Sequence, residues 1–96
     1  MLQSAIARPY ATFDGQELYP DAIGKAAAIL ESIVINHPFV DGNKRTAYTL
    51  MRLMLLSYEV DISANQMEKY SMVINASKGD YRFEEIKDWI KSKILQ

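Results

Sequence analysis

The chain has 96 residues, no cysteine, one histidine and a formal net charge of −1, from 11 Lys and Arg against 12 Asp and Glu. That length makes one small domain with a single core, and the near-neutral balance argues against a general nucleic-acid or membrane-surface binder, which needs a basic excess. Without cysteine there is neither a disulfide nor a thiolate metal site, which suits the cytoplasm, and a lone histidine argues against zinc. No signal peptide is expected, because Met1 to Tyr10 lacks a basic start followed by an apolar run. The stretch Leu50 to Leu56 is too short to span a bilayer and carries Arg52.

Met1 to Ala7 reads as the end of a helix that Pro9 stops. Tyr10 to Tyr19 reads as a hairpin turning at Asp14-Gly15, with a structureless loop as the alternative. Pro20 fits a first helical turn with Asp21 beside it. Ile23, Ala26, Ala27, Leu30, Ile33 and Val34 then recur at helical spacing through Asn36, with Lys25 and Glu31 off that stripe. A helix from Asn43 to about Tyr58 is apolar nearly all round, which predicts a central position. Ala47, Leu50, Met51, Met54 and Leu55 make one of its faces, and Leu53 and Leu56 occupy others.

Glu59 to Ile62 reads as an extended connection. Ser63 is the expected N-cap of a helix from Ala64 to about Ser77, with Met67, Tyr70, Ser71 and Ile74 on one side and Gly79 ending it. Asp80 or Tyr81 opens a last helix to about Leu95. Phe83, Ile86, Ile90 and Ile94 form its stripe, Trp89 lies nearby, and Lys87, Lys91 and Lys93 make a solvated face. The expected fold is mainly α: a single compact helical domain over 1–96 with one small β-hairpin.

The chemistry concentrates in the segment H-P-F-V-D-G-N-K-R, residues His37 to Arg45. Pro38 biases His37 away from helical dihedrals, so the preceding helix is expected to stop near Asn36 and deliver the histidine into a loop. A histidine with an ordinary pKa of about 6.5 can take a proton from a hydroxyl at neutral pH. Phe39 is the apolar anchor of the loop. Asp41 beside a phosphate site is a usual way to add Mg²⁺. Gly42 permits a close backbone approach, and Asn43, Lys44 and Arg45 supply donors. A polar loop that empties into a helix N-terminus suits an anion, because backbone N–H groups and the dipole end point at it. Singly, each feature has a bland counterpart: a capping histidine, an Asp-Gly turn, a solvated Lys-Arg helix start. The loop is not a Walker A sequence.

This segment resembles the signature of the Fic/Doc family, H-x-F-x-(D/E)-(G/A)-N-(G/K)-R, at every constrained position. Thr46-Ala47 also resembles the Doc, or death-on-curing, branch. Ala7-Arg8-Pro9 through Tyr19-Pro20 looks like that family's flap. The resemblance implies a helical domain with a β-hairpin flap at 10–19, a motif loop at 37–45 and a central helix at 43–58. This chain would then lack one or two N-terminal helices that the family normally carries. It further implies that His37 is the general base, that Asp41 binds Mg²⁺, and that Gly42, Asn43, Lys44 and Arg45 hold the phosphates of ATP. The flap residues Thr12, Phe13, Asp14, Gly15 and Gln16 would dock the target as an added strand.

The informative departure is Lys44. AMP-transferring members typically have glycine there and a second arginine three residues after the first, where this chain has Tyr48. Doc-type members resemble this sequence in N-K-R and transfer the γ-phosphate. The resemblance therefore implies a toxin that is a protein kinase of unusual fold, arresting translation through an elongation factor Tu type of target. An AMP transferase, or an inactive binding module on the same fold, is the alternative. The inhibitory pattern (S/T)-x-x-x-E-(G/N) of many relatives is absent from the sequence. Restraint is therefore expected from an antitoxin partner.

Overall fold

The helix Ala22–Asn36 (α1) is the axis on which the other elements pack. Ala26, Ala27, Ala28, Leu30 and Ile33 along it have no exposed surface. Three consecutive alanines let neighbours approach its backbone from several directions, so it is enclosed all round rather than along one stripe. The computed structural model describes residues 8–36 and 41–95, with the backbone alone at 36 and 41–43. The reading of Met1 to Ala7 as a helix end therefore lies outside the described residues.

Within them the order is a 3-10 turn at Arg8–Tyr10, strands β1 (Thr12–Phe13) and β2 (Gln16–Glu17), α1, then α2 (Asp41–Leu56), α3 (Gln66–Lys78) and α4 (Phe83–Lys93). The architecture is mainly α with one small hairpin, as expected. β1 and β2 pair antiparallel, Thr12 with Glu17 and Phe13 with Gln16. The turn between them holds Asp14 at φ 52° and Gly15 at φ 77°, the double positive φ that a tight hairpin demands and that Asp-Gly supplies.

α1 starts at Ala22, not in a first turn at Pro20, because Asp21 serves as its cap: the carboxylate Oδ1 accepts from the Gly24 N–H at 2.6 Å. The larger correction concerns Lys25 and Glu31. Both lie off the apolar stripe, yet both are buried, at 2% and 4% exposure. Each is enclosed because it has partners from other elements. Arg8 and Arg82 flank Glu31, and Lys25 reaches the hairpin.

α2 is less central than its composition suggests. Ala47, Met51, Met54 and Leu55 are buried against α1 and α3, but Leu53 is 53% and Leu56 42% exposed. Its neighbours cover one side only. The helix ends at Leu56, and the chain reverses through Glu59 in the left-handed region at φ 62°. There Glu59 N–H donates to the Leu56 carbonyl at 2.9 Å and Val60 N–H to the Leu55 carbonyl at 3.0 Å.

α3 is capped by Asn65, not Ser63. The Asn65 side chain accepts from Glu68 N–H at 2.8 Å while the Glu68 carboxylate accepts from Asn65 N–H at 2.9 Å, a reciprocal capping box. Gly79 ends the helix at φ 86°, as the sequence leads one to expect. The buried face of α3 is Met72, Val73 and Ala76; the stripe Met67, Tyr70, Ser71 and Ile74 is instead its open side, with Met67 70% and Tyr70 67% exposed. The two stripes are both apolar, and only the docking of α3 on α1 decides between them. α4 starts at Phe83, later than Asp80 or Tyr81, and buries Ile86 and Ile90. Lys93 is not simply solvated: its ammonium donates to the Glu68 carboxylate and stands 5.8 Å from the Trp89 ring centre. The extended connection after α2 closes the fold through a bridge between Ile62 and Ile94. Among the described residues no helix is long and apolar enough to cross a membrane.

Candidate functional site

α1 reaches Asn36 and α2 begins at Asp41. The link between them, with His37 and Phe39, lies outside the described residues. Asp41, Gly42 and Asn43 form the first turn of α2 rather than a loop ahead of a helix starting at Asn43. An α-helix start of this kind presents backbone N–H groups along its first turn. The Asp41 side chain is not among those described. Among the described residues no group of three or more His, Cys, Asp and Glu could hold a metal.

Lys44 is half-buried and Arg45 exposed, and both line a groove of about 600 Å³ between α2 and α3. Tyr48 and Thr49 continue its α2 wall about one helical turn after Lys44 and Arg45. Gln66, Lys69, Tyr70, Val73 and Ile74 form its α3 wall. Among the described residues three cations and no carboxylate line it, so it combines a positive rim with a largely apolar, aromatic floor. Such a combination accepts a flat apolar group joined to an anion.

The two tyrosines differ in surroundings. Tyr48 meets Trp89 edge-on at 6.3 Å between ring centres, and Lys69 Nζ lies 5.5 Å from its ring. Burial raises the Tyr48 phenol above its ordinary value, with Arg52 opposing and Asp61 adding to the rise, so it stays neutral. Tyr70 instead stands in the open on the other wall. A second hollow of about 420 Å³ shares Tyr48, Thr49 and Lys69 and continues past Arg52, Leu53 and Leu56.

The expected flap residues Thr12, Phe13, Asp14, Gly15 and Gln16 are all exposed, Phe13 at 69%. The hairpin is tied at its base. Leu18 N–H donates to the Ala11 carbonyl at 3.0 Å, Arg8 Nε donates to the Tyr19 hydroxyl at 3.0 Å, and Lys25 Nζ meets the Glu17 carboxylate at 3.0 Å and the Tyr19 carbonyl. Burial opposes the Arg8 charge. Its hydrogen bonds to Tyr19 and Glu31 and their fields outweigh that and hold the guanidinium above its ordinary value.

The sequence thus directs attention to the start of α2 but not to the α3 wall. Lys69, Tyr70 and Ile74 are separated from the motif by a whole connection. The one usable signal is Lys69 itself, a cation at helical spacing with Met72, Val73 and Ala76.

The Fic/DOC family model matches residues 1–55. Toxin Doc of Mycolicibacterium smegmatis (strain ATCC 700084 / mc(2)155) is 45% identical over 65 residues, which cover 68% of this chain and 50% of that protein. The chain spans about half the length of this curated relative. No solved structure matches it. The matched segment takes in the hairpin, α1 and all but the last residue of α2, which includes the whole H-P-F-V-D-G-N-K-R segment, and on that match the chain belongs to the Fic/DOC family.

Proposed function

We propose that this chain is a Doc-like protein kinase that transfers the γ-phosphate of ATP to a hydroxyl of a translation factor, of the elongation factor Tu type, and acts as the toxin of a toxin–antitoxin pair. The observation that carries this reading is the groove that runs from the first turn of α2 past Lys44, Arg45 and Lys69 to Tyr48 and Tyr70. Phosphates fit its cationic end beside the helix start, and a base fits between its aromatic walls. The name of the relative, Toxin Doc, supports the toxin part of the reading.

In this reading His37 takes the proton from the target hydroxyl as its oxygen bonds to the γ-phosphorus. The bond from that phosphorus to the bridging oxygen breaks, and ADP leaves. Gly42, Asn43, Lys44 and Arg45 hold the phosphates in line. Asp41 is the side chain to hold Mg²⁺, which would neutralise charge on the phosphates. The exposed hairpin offers an edge to the target strand. Tyr48 bears on the choice of phosphate: it stands where AMP-transferring relatives carry a second arginine, and its ring packs on Trp89 as part of the groove wall. That wall supplies no cation at that position, which favours γ-transfer.

The test uses ATP labelled at the γ- or the α-phosphate, with Mg²⁺, elongation factor Tu and either this chain or His37→Ala. Label moving from the γ-position alone, and only with His37 present, is expected. Label from the α-position would make the protein an AMP transferase. An antitoxin segment that folds over the cleft between hairpin and motif should co-elute with the co-expressed chain and suppress transfer; transfer undiminished by any neighbouring gene product would remove the antitoxin from the proposal.

A further inference from the structure

The least expected side chain in the fold is Lys25, a cation on α1 with 2% of its surface exposed. A buried ammonium is costly unless each of its three donors finds a partner. Among the described residues its partners all come from one segment. Nζ lies 3.0 Å from the Glu17 carboxylate on β2, donates to the Tyr19 carbonyl just after β2, and sits 5.8 Å from the centre of the Tyr10 ring just before β1. Lys25 therefore grips the hairpin at both its entry and its exit. Tyr10 in turn donates its hydroxyl to Met54 Sδ of α2 at 3.8 Å. An unbroken chain of contacts thus runs from the hairpin, through Lys25 and Tyr10, to the two helices that bracket His37. An apolar side chain would fill the same space without the desolvation cost, so what the lysine adds is this attachment.

We propose that Lys25 is a positioning residue that fixes the β1–β2 hairpin on α1, so that a docked target hydroxyl is presented in register with the motif. The proposal rests on the reading of the hairpin as the target-docking edge. The hairpin has only two residues in each strand, and strands that short do not hold an orientation by themselves. Without the ammonium the hairpin keeps its turn and the Arg8–Tyr19 tie after its second strand, but loses the contacts of Glu17 and Tyr10 that set its angle on α1. Target strands then meet an edge that samples many directions, and the loss falls on target affinity rather than on the nucleotide site.

The experiment compares the full chain with Lys25→Met, which keeps the length and apolar stem, by backbone ¹⁵N relaxation and by transfer kinetics. Order parameters at 12–17 should fall from about 0.85 to below about 0.6 while those of α1, α3 and α4 hold. KM for elongation factor Tu should rise roughly tenfold to a hundredfold, the range set by losing hydrogen bonds to a charged group, with kcat and the KM for ATP unchanged. A hairpin as ordered as before, loosening that spreads through α1, or a loosened hairpin with unchanged target KM would each overturn the proposal. If Lys25→Met does not fold, Glu17→Ala is read in the same way, because that side chain is half-exposed on the hairpin. A parent chain that transfers no phosphate would fail the functional reading instead, and the order parameters then decide by themselves whether Lys25 holds the hairpin.

Discussion

Glu31 and Arg82 lie 51 positions apart in the chain, yet Arg82 Nε donates to Glu31 Oε2 at 2.9 Å. The other carboxylate oxygen of Glu31 receives Arg8 at 2.9 Å. One buried acid therefore joins the segment before the hairpin, the central helix and the cap of the last helix. Arg8 extends the junction by donating to Ser32 Oγ at 2.8 Å and by lying 5.4 and 6.0 Å from the Tyr19 and Phe83 ring centres.

Replacing Glu31 with Ala leaves two guanidinium groups facing each other across a hole. Removing one partner of a buried pair costs about 3–5 kcal/mol. Arg8 and Arg82 retain 30% and 63% exposure, and solvent screening reduces the expected loss to about 2–3 kcal/mol. For a domain of this size that lowers Tm by roughly 10–20 °C. Glu31→Gln, which keeps the shape and one acceptor, should lose less. Calorimetry of the two variants reads the difference, and a Glu31→Ala shift below about 3 °C would mean that water, not the arginines, satisfies the carboxylate.

Tyr70 offers the opposite test, of function without stability. It is 67% exposed on the open wall of the groove, so Tyr70→Ala should leave the melting curve within about 0.5 kcal/mol of the parent. Stacking of a base on an aromatic side chain is worth about 1–3 kcal/mol, so nucleotide affinity should fall roughly fivefold to a hundredfold. Titration calorimetry with a non-hydrolysable ATP analogue measures this. Unchanged affinity would place the base elsewhere and leave the groove without its proposed occupant.

The sequence made α1, α2, the hairpin turn and the Gly79 stop legible, because each rests on local chemistry: periodic apolar residues, Asp-Gly, a glycine free to take positive φ. What it concealed depends on partners distant in the chain. Lys25 and Glu31 look solvent-facing because their neutralising groups sit in the hairpin, before it and at the start of α4. Which side of α3 is open at Tyr70 is not legible either, because only tertiary docking chooses between its faces. The same limit applies to the candidate site. The motif end at Lys44 and Arg45 is contiguous in sequence and was readable, whereas the α3 wall is brought to it by the fold.

The pH dependence of stability has a defined sign at the α2–α3 connection. Arg52 holds the Asp61 carboxyl below its ordinary value through hydrogen bonds at 3.0 and 3.2 Å, helped by the Ile62 N–H at 2.8 Å. Lys93, then the Asn65 N–H, does the same for Glu68. A carboxyl whose folded pKa is depressed binds its proton more weakly folded than unfolded. Its contribution is therefore complete above the unfolded value of about 4 and disappears as pH falls through the lower, folded value. Asp61→Asn keeps an oxygen for the Ile62 N–H but removes the charge and the second acceptor for Arg52. The parent should melt above Asp61→Asn at pH 7, and the gap should close as pH drops below about 4. Both groups are at the surface, so 1 M salt at pH 7 should narrow the gap as well. A gap that persists unchanged at pH 2 would show that the Asp61 side chain acts through its shape and hydrogen bonds, and that its charge contributes nothing to holding α2 against the Ile62–Ile94 bridge.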